Sequence, residues 1–439
     1  MKRHNLMKKF LFQIVIMVLI PKVMAQEVLT VDQAVQIALK NNYDIKIAAN
    51  ELSVDKENNS IGNAGMLPEV NASLIKNNSI QNSKQTQSNG EVRELDNAKN
   101  NRLEYGVNLG WTVFDGFKMF ARYDQLQELE KQGDVQLKLM VLTRVSDVMT
   151  TYYDLVQQQQ LIKALDTTIV ISNQRLKTAE NRFTIGKAAK LEVLNAQVDL
   201  NTDTSVLLKQ KELFGITKIR MNELLARDLI ADFQVVEEVS VDDKLLLTEL
   251  QSLTEKQNSQ LQLALINKRV AELDLKQTKG NRYPTVRLNT GYTFVETENS
   301  LGFTSATSSK GLNYGLTATM PIFNGFSQNR NEKIAKLQVV NSTLVAEQQK
   351  QSVYAQLASA YQTYLTNVEL AKLEESNEAI AKKNLEITLD KFRIGTISTI
   401  EFRNAQENYV NAIARNSSAK FQAKIAEIVL QQIAGNIKF

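Results

Sequence analysis

Side chains able to do covalent or metal chemistry are scarce in this sequence. The single histidine is His4, and there is no cysteine. Zinc sites, thiol nucleophiles and Ser-His chemistry therefore have almost nothing to build on. Carboxylates and amides remain, and one arrangement of them occurs twice. Arg182 to Gln197 reads RFTIGKAAKLEVLNAQ, and Lys391 to Gln406 reads KFRIGTISTIEFRNAQ. Each places an aromatic residue three before a glycine (Phe183 and Gly186, Phe392 and Gly395), then an acid (Glu192, Glu401) and an asparagine (Asn195, Asn404). A glycine there ends a helix cheaply at positive φ. An acid early in the next helix favours the helix dipole whatever it faces. No glycine-rich phosphate loop follows a strand, and charged helical faces are ordinarily solvated. The sequence therefore points away from an enzyme, and no cofactor or metal is expected.

The elements that carry these two stretches are themselves repeated. Tyr105 to Phe117 (YGVNLGWTVFDGF) recurs 209 residues on as Tyr314 to Phe326 (YGLTATMPIFNGF), and Tyr152 recurs as Tyr361. Upstream the offset is 216, with Val54 matching Val270 and Pro68 matching Pro284. The change falls between Pro68 and Tyr105, where the first copy is longer, as expected of a surface loop. The chain is a tandem duplication.

Residues 1–25 read as an export signal. Lys2, Arg3, Lys8 and Lys9 precede the apolar run Phe10 to Ile20, Pro21 breaks it, and cleavage is expected after Ala25. The run is too short for a membrane-spanning helix. Removing this segment takes away five basic side chains and no acid, so the net charge of +4 becomes −1. The basic balance then says nothing about nucleic acid, and no nucleic-acid partner is expected. His4 leaves with the signal, and the mature chain has no disulfide to stabilise it.

After the signal, about Thr30 to Met66 has helical spacing until Pro68. The period then switches to two. Leu103, Tyr105, Val107, Leu109, Trp111 and Val113 alternate with polar or small residues, as do Leu312, Tyr314, Leu316, Ala318, Met320 and Ile322. Partner strands run through Val70 to Leu74 and Val286 to Phe294. Strands of roughly ten residues with one apolar face suit a lipid bilayer. Asn77 to Asn101 and Glu296 to Gly311 read as long polar loops. Asp115-Gly116 and Asn324-Gly325 mark turns, with Pro321 just ahead of the second. Long helices follow, about Lys118 to Ile185 and Gln328 to Ile394, each roughly 100 Å at 1.5 Å per residue. Helices of that length need neighbours rather than a compact core. Return helices are expected over about Leu191 to Leu225 and Ile400 to Ala434.

The resulting division is as follows. The signal (1–25) precedes a first repeat (26–227), with a β-hairpin over about 68–114 and a long helical hairpin over about 116–227. A linker (228–245) leads to the second repeat (246–435), with a β-hairpin over about 284–323 and a helical hairpin over about 326–434. The C-terminal tail is 436–439. The linker and the tail are expected to form a small equatorial side domain. Four strands cannot close a barrel, and open strand edges are not tolerated in lipid. Copies must therefore assemble: two chains give eight strands and three give twelve. A secreted coiled-coil scaffold or adhesin without a pore is the alternative, and it has no use for a lipid-facing stripe.

These residues resemble the TolC-like outer-membrane efflux channel family, on the duplication, the YG…FDGF and YG…FNGF junctions and the two glycine tips. The resemblance covers essentially the whole mature chain. It implies a mainly α fold with a small membrane β-barrel: a trimeric twelve-strand barrel above a coiled-coil tunnel of α-helical hairpins, seated in the cell outer membrane with a long periplasmic portion. It implies passive export, with a periplasmic adaptor (membrane fusion protein) and an inner-membrane pump as partners. The tip turns, Arg182, Phe183 and Gly186 with Phe392, Arg393 and Gly395, match the family's adaptor contact. Glu401 and Asn404 match two gate aspartates, with Glu192 and Asn195 as their repeat mates; in a trimer such carboxylates form a ring that selects for cations. Ile397 stands where the family carries a basic gate partner. Drug, metal, siderophore and protein exporters share this outer component, so the cargo stays open.

Overall fold

The computed structural model describes residues 27–301 and 304–437, so the expected export signal lies outside the described residues. In chain order the elements are β1 (Glu27–Leu29), α1 (Val31–Asn41), α2 (Tyr43–Asn58), β2 (Glu69–Thr86), β3 (Val92–Phe114), α3 (Lys118–Thr184) and α4 (Lys190–Leu224). Then come β4 (Phe233–Val235), α5 (Leu247–Gln257), α6 (Ser259–Gly280), β5 (Thr285–Asn299), β6 (Ala306–Thr319), α7 (Ser327–Arg393) and α8 (Thr399–Ala434). Two compact units result. One holds the chain up to Lys46, Val141–Lys256 and the chain from Gln356. The other holds Ile47–Met140 and Gln257–Ala355.

The second unit carries a four-stranded antiparallel sheet in the order β2-β3-β5-β6. Its strands are longer than the roughly ten residues expected, and the polar stretches read as loops are mostly strand. The β2–β3 ladder continues out to Thr86 opposite Val92, and β5–β6 out to Glu298 opposite Ala306. Ser, Thr, Asn and Gln there alternate as well as apolar residues do. Pairing satisfies the backbone whether the side chains meet lipid or water. Tyr105 stacks on Phe294 across the central pair, with ring centroids 4.9 Å apart.

The helical stretch expected from Thr30 to Met66 is not continuous. Asn42 breaks it: its Oδ1 accepts from the Asp44 and Ile45 amides and its Nδ2 donates to Leu224 O at 2.9 Å. An asparagine able to serve both helix ends makes a corner there. α2 then stops at Asn58, well before Pro68.

The other unit is organised around Tyr152. It is 2 % exposed within an apolar cluster that includes Leu29, Val148, Leu155, Met221, Phe233 and Ile437. Its hydroxyl donates to Leu29 O at 2.9 Å and accepts from the Val236 amide at 3.0 Å. That one group binds the flanks of β1 and β4, which pair in parallel. Its repeat mate Tyr361 donates to Leu245 O, and the adjacent Tyr364 donates to Asp242 O at 2.5 Å. Burying a phenol requires a partner for its hydroxyl, and both repeats find it in the segment between them.

Candidate functional site

The two glycine tips lie in the same unit as Tyr152. α3 ends at Thr184 and α7 at Arg393, and the glycines two residues on have φ of 73° (Gly186) and 80° (Gly395). The bonds are equivalent. Gly186 N–H reaches Phe183 O and Lys187 N–H reaches Arg182 O, while Gly395 reaches Phe392 O and Thr396 reaches Lys391 O. Such closures need the left-handed conformation that glycine adopts without penalty.

Beyond the turns the tips differ. Phe392 is 4 % exposed and stacks on Phe402 with centroids 4.9 Å apart, in a cluster with Leu385, Ala405 and the partly buried Ile397. Phe183 is 43 % exposed, with Lys190 Nζ 5.3 Å above its ring. The mate of Phe402 is Val193, too small to draw an aromatic ring inward. Ile397, where the family resemblance implies a base, is thus part of an apolar plug. Arg393 is exposed and pairs only loosely with Asp390, at 3.7 Å.

The two acids also differ. Ser398 caps α8, and Glu401 completes a capping box: the Ser398 amide donates to Glu401 Oε2 at 3.0 Å, and the Glu401 amide donates to Ser398 Oγ. At the mate of Ser398 stands Ala189, which offers no side-chain cap. Glu192 is therefore released from its own helix and reaches across. It accepts from Thr399 Oγ1 at 3.1 Å and lies 3.9 Å from Arg182 Nη1. Arg182 in turn donates to Phe392 O at 3.2 Å and covers the Phe392 ring at 5.1 Å. The first repeat's tip is tied to the second by Arg182 and Glu192. The exposed Asn195 and Asn404 line, with Glu192, Thr399, Arg175 and Arg403, a cleft of about 530 Å³ between the starts of α4 and α8.

A buried polar cluster behind this cleft escapes sequence reading. Arg403 donates to both oxygens of Asp203, at 2.7 and 2.8 Å, and to Glu407 at 2.8 Å. Ser172 donates to Asp203 at 2.6 Å, and Gln406 donates to Ser172 at 3.0 Å. Arg175, 4 % exposed, pairs with Asp199. Burial alone lowers the Arg403 pKa, but the hydrogen bonds and charge of Asp203, with Asp199 and Glu407, prevail and raise it. The available signal was a broken repeat: Arg403 and Asp203 have Leu194 and Ala412 as mates.

The strand-to-helix junctions belong to the other unit. Asp115 and Asn324 accept from the amides of Met119 and Gln328, repeat mates that begin α3 and α7. Gly116 and Gly325 have φ of 76° and 63°. A Cβ on Gly116 would lie 2.2 Å from Gly280 O, whereas Gly325 has open space around it. Pro321 lies in an exposed segment with Ile322, 96 % exposed, and Phe323, 75 % exposed. Among the described residues no cluster of three metal-ligating side chains occurs, and no helix is long and apolar enough to cross a membrane.

Comparison with known proteins gives the family and the fold. Residues 34–226 and 250–436 match the model of the family described as outer membrane efflux protein. The chain is 22 % identical over 379 residues to outer membrane protein TolC of Escherichia coli, covering 80 % of this chain and 73 % of that one. It is 20 % identical over 348 residues to TolC of Vibrio cholerae, covering 76 % and 77 %. In fold it is similar to the Campylobacter jejuni CmeC outer membrane channel, with a TM-score of 0.77 at 19 % identity over 92 % of this chain and 85 % of that one. It is also similar to the Neisseria gonorrhoeae MtrE outer membrane channel in its open state, at 0.69 and 13 % over 92 % and 89 %. With both of its halves matched by the family model, on the duplicated helix-and-strand fold of those channels, the chain belongs to the outer membrane efflux protein family and resides in the cell outer membrane.

Proposed function

We propose that the protein is the outer-membrane duct of a tripartite efflux or secretion system. It forms a homotrimer, and twelve strands from three chains close one barrel in the lipid. Substrate passes passively outward, driven by an inner-membrane pump that reaches the duct through a periplasmic adaptor. Each repeat, about 26–227 and 246–435, supplies one strand hairpin and one hairpin of long helices. The tip turns around Gly186 and Gly395 are the adaptor contact. Glu192, Asn195, Glu401 and Asn404 line the periplasmic entrance.

The observation that carries this reading is the sheet. β2 and β6 are its edges, each with one neighbour. Both edges carry exposed apolar residues, Val70 and Leu74 on β2 and Leu312, Tyr314 and Leu316 on β6. An open edge in hydrocarbon costs several kcal/mol for each unsatisfied backbone group, so the sheet must close. A scaffold in water has no use for an apolar stripe along such edges. Purified protein in a planar lipid bilayer tests the duct, with discrete conductance steps expected. A folded, membrane-inserted protein that never conducts would overturn it.

A further inference from the structure

The alternation of the four strands gives their sheet two unlike faces. One carries the cross-strand rows Val70–Leu109–Thr290–Tyr314 and Ala72–Val107–Tyr292–Leu312. The other carries Asn71–Asn108–Gly291–Asn313, then Glu69–Gly110–Asn289–Gly315, then Arg287 between Thr112 and Thr317. In the proposed barrel the apolar face meets lipid, so the asparagine face looks into the water-filled lumen. That face holds a depression of about 390 Å³, walled by Arg287 and the amides of Asn71, Asn108, Asn289 and Asn313. Two glycines make room for it. The Arg287 guanidinium lies across Gly110, where a Cβ would come within 2.6 Å of Nη2. The Asn108 amide lies across Gly291, where a Cβ would come within 2.2 Å of Oδ1.

The donors in this depression are largely unspent. Among the described residues Arg287 has no ion pair and no side-chain hydrogen bond, whereas Arg102 on the same face is paired with Glu104 at 2.7 Å. Asn313 gives one amide hydrogen to Thr293 Oγ1 at 2.9 Å and keeps its second. The repeat mate of Arg287, 216 residues back, is Asn71, so only the second repeat supplies the cation.

We propose that this depression binds an oxyanion, the carboxylate or phosphate group of a solute in transit, with Arg287 as its charged donor. A guanidinium takes such a group by two parallel hydrogen bonds, and the carboxamides add neutral donors around it. Arg287 is the third residue of β5, and its partner Thr112 stands shortly before β3 gives way to α3. Each chain therefore sets one such site at the helix end of its sheet. Glu69, in the cross-strand row of Gly110, opposes an anion there. The site rests on the proposed duct and adds a preference for anionic solutes, as basic side chains lining a pore do.

Inorganic pyrophosphate and citrate are the probes, titrated calorimetrically into the detergent-solubilised assembly at low ionic strength, where screening is weak. Arg287→Gln is expected to weaken binding of both about tenfold, as loss of a charge-assisted hydrogen bond does. Glu69→Gln removes the opposing charge and is expected to tighten binding. Arg287→Lys keeps the charge without the fork and is expected to fall between Arg287→Gln and the unsubstituted protein. In a planar bilayer, Arg287→Gln should move the reversal potential across a KCl gradient toward cation selectivity. Unchanged affinity in Arg287→Gln, or no binding to the unsubstituted protein, overturns the site, while conductance steps in the same preparation keep the duct. An assembly that never conducts overturns the duct and with it the lumen that this site faces.

Discussion

Arg403 of α8 holds Asp203 of α4 by two parallel hydrogen bonds, joining the second repeat's return helix to the first repeat's. Their side chains are 15 % and 10 % exposed, so neither charge can recover its hydration if the other is removed. Removing one partner of such a pair costs roughly 3–5 kcal/mol, while replacing both by apolar residues is often neutral. Arg403→Ala is therefore expected to raise hydrogen exchange around Phe392 and Phe402 strongly, and Asp203→Leu with Arg403→Met to restore most of the protection. Exchange unchanged in Arg403→Ala would show that apolar packing alone holds the two return helices together.

The tip acids separate by their local partners. Glu401 is engaged by its own helix start, and Glu192 by the opposite repeat. Glu401→Gln keeps a capping-box acceptor and removes only charge, whereas Glu401→Ala also loses a cap worth about 1 kcal/mol. If the acids form the entrance ring, Glu192→Ala with Glu401→Ala weakens divalent-cation block in bilayer recordings, and Glu401→Gln weakens it as much as Glu401→Ala does. Block that survives the double substitution removes these residues from the entrance.

What could be read in advance was whatever the duplication repeats. The glycine turns, the Asp115 and Asn324 junctions and the alternating strands occur twice, and each rests on local chemistry. Sequence alone did not show where the copies diverge. The exchange of Ser398 for Ala189 decides which acid stays on its own helix. Val193 in place of Phe402 decides which tip phenylalanine is buried. The Asp203–Arg403 pair depends on two residues 200 apart whose mates are apolar, so no periodic pattern announces it. The strand lengths were underestimated for a different reason. Polar residues that alternate lack the hydrophobic mark of a strand, yet their backbones pair as well.

At the tips, proline is the discriminating substitution. Gly186 and Gly395 hold φ of 73° and 80°, and both amides are bonded. Proline fixes φ near −65° and removes the donor, so it cannot close either turn. Alanine only incurs the left-handed cost of about 1–2 kcal/mol. If the tips are the proposed adaptor contact, Gly186→Pro with Gly395→Pro is expected to impair cross-linking to the periplasmic adaptor while assembly proceeds, and the alanine pair to reduce it less. Undiminished cross-linking in the proline pair would place the adaptor contact elsewhere.

Acid should loosen the attachment of the segment between the repeats. Glu237 accepts from Gln159 Nε2 at 2.6 Å and lies 2.5 Å from Lys163 Nζ. Burial pushes its pKa up, but the Lys163 and Gln159 hydrogen bonds outweigh this and hold it below the ordinary glutamate value. A carboxyl depressed on folding contributes stability that is present above its unfolded pKa, near 4.3, and is lost as the pH falls through the folded value. Lys163 is 65 % exposed, so solvent screening limits the contribution to under about 1 kcal/mol. Glu237→Gln should lower the melting temperature slightly at pH 7 and match the unsubstituted protein near pH 3. Thermal melts across that range check both ends, and an equal deficit at both would mean that the contact acts by packing rather than by charge.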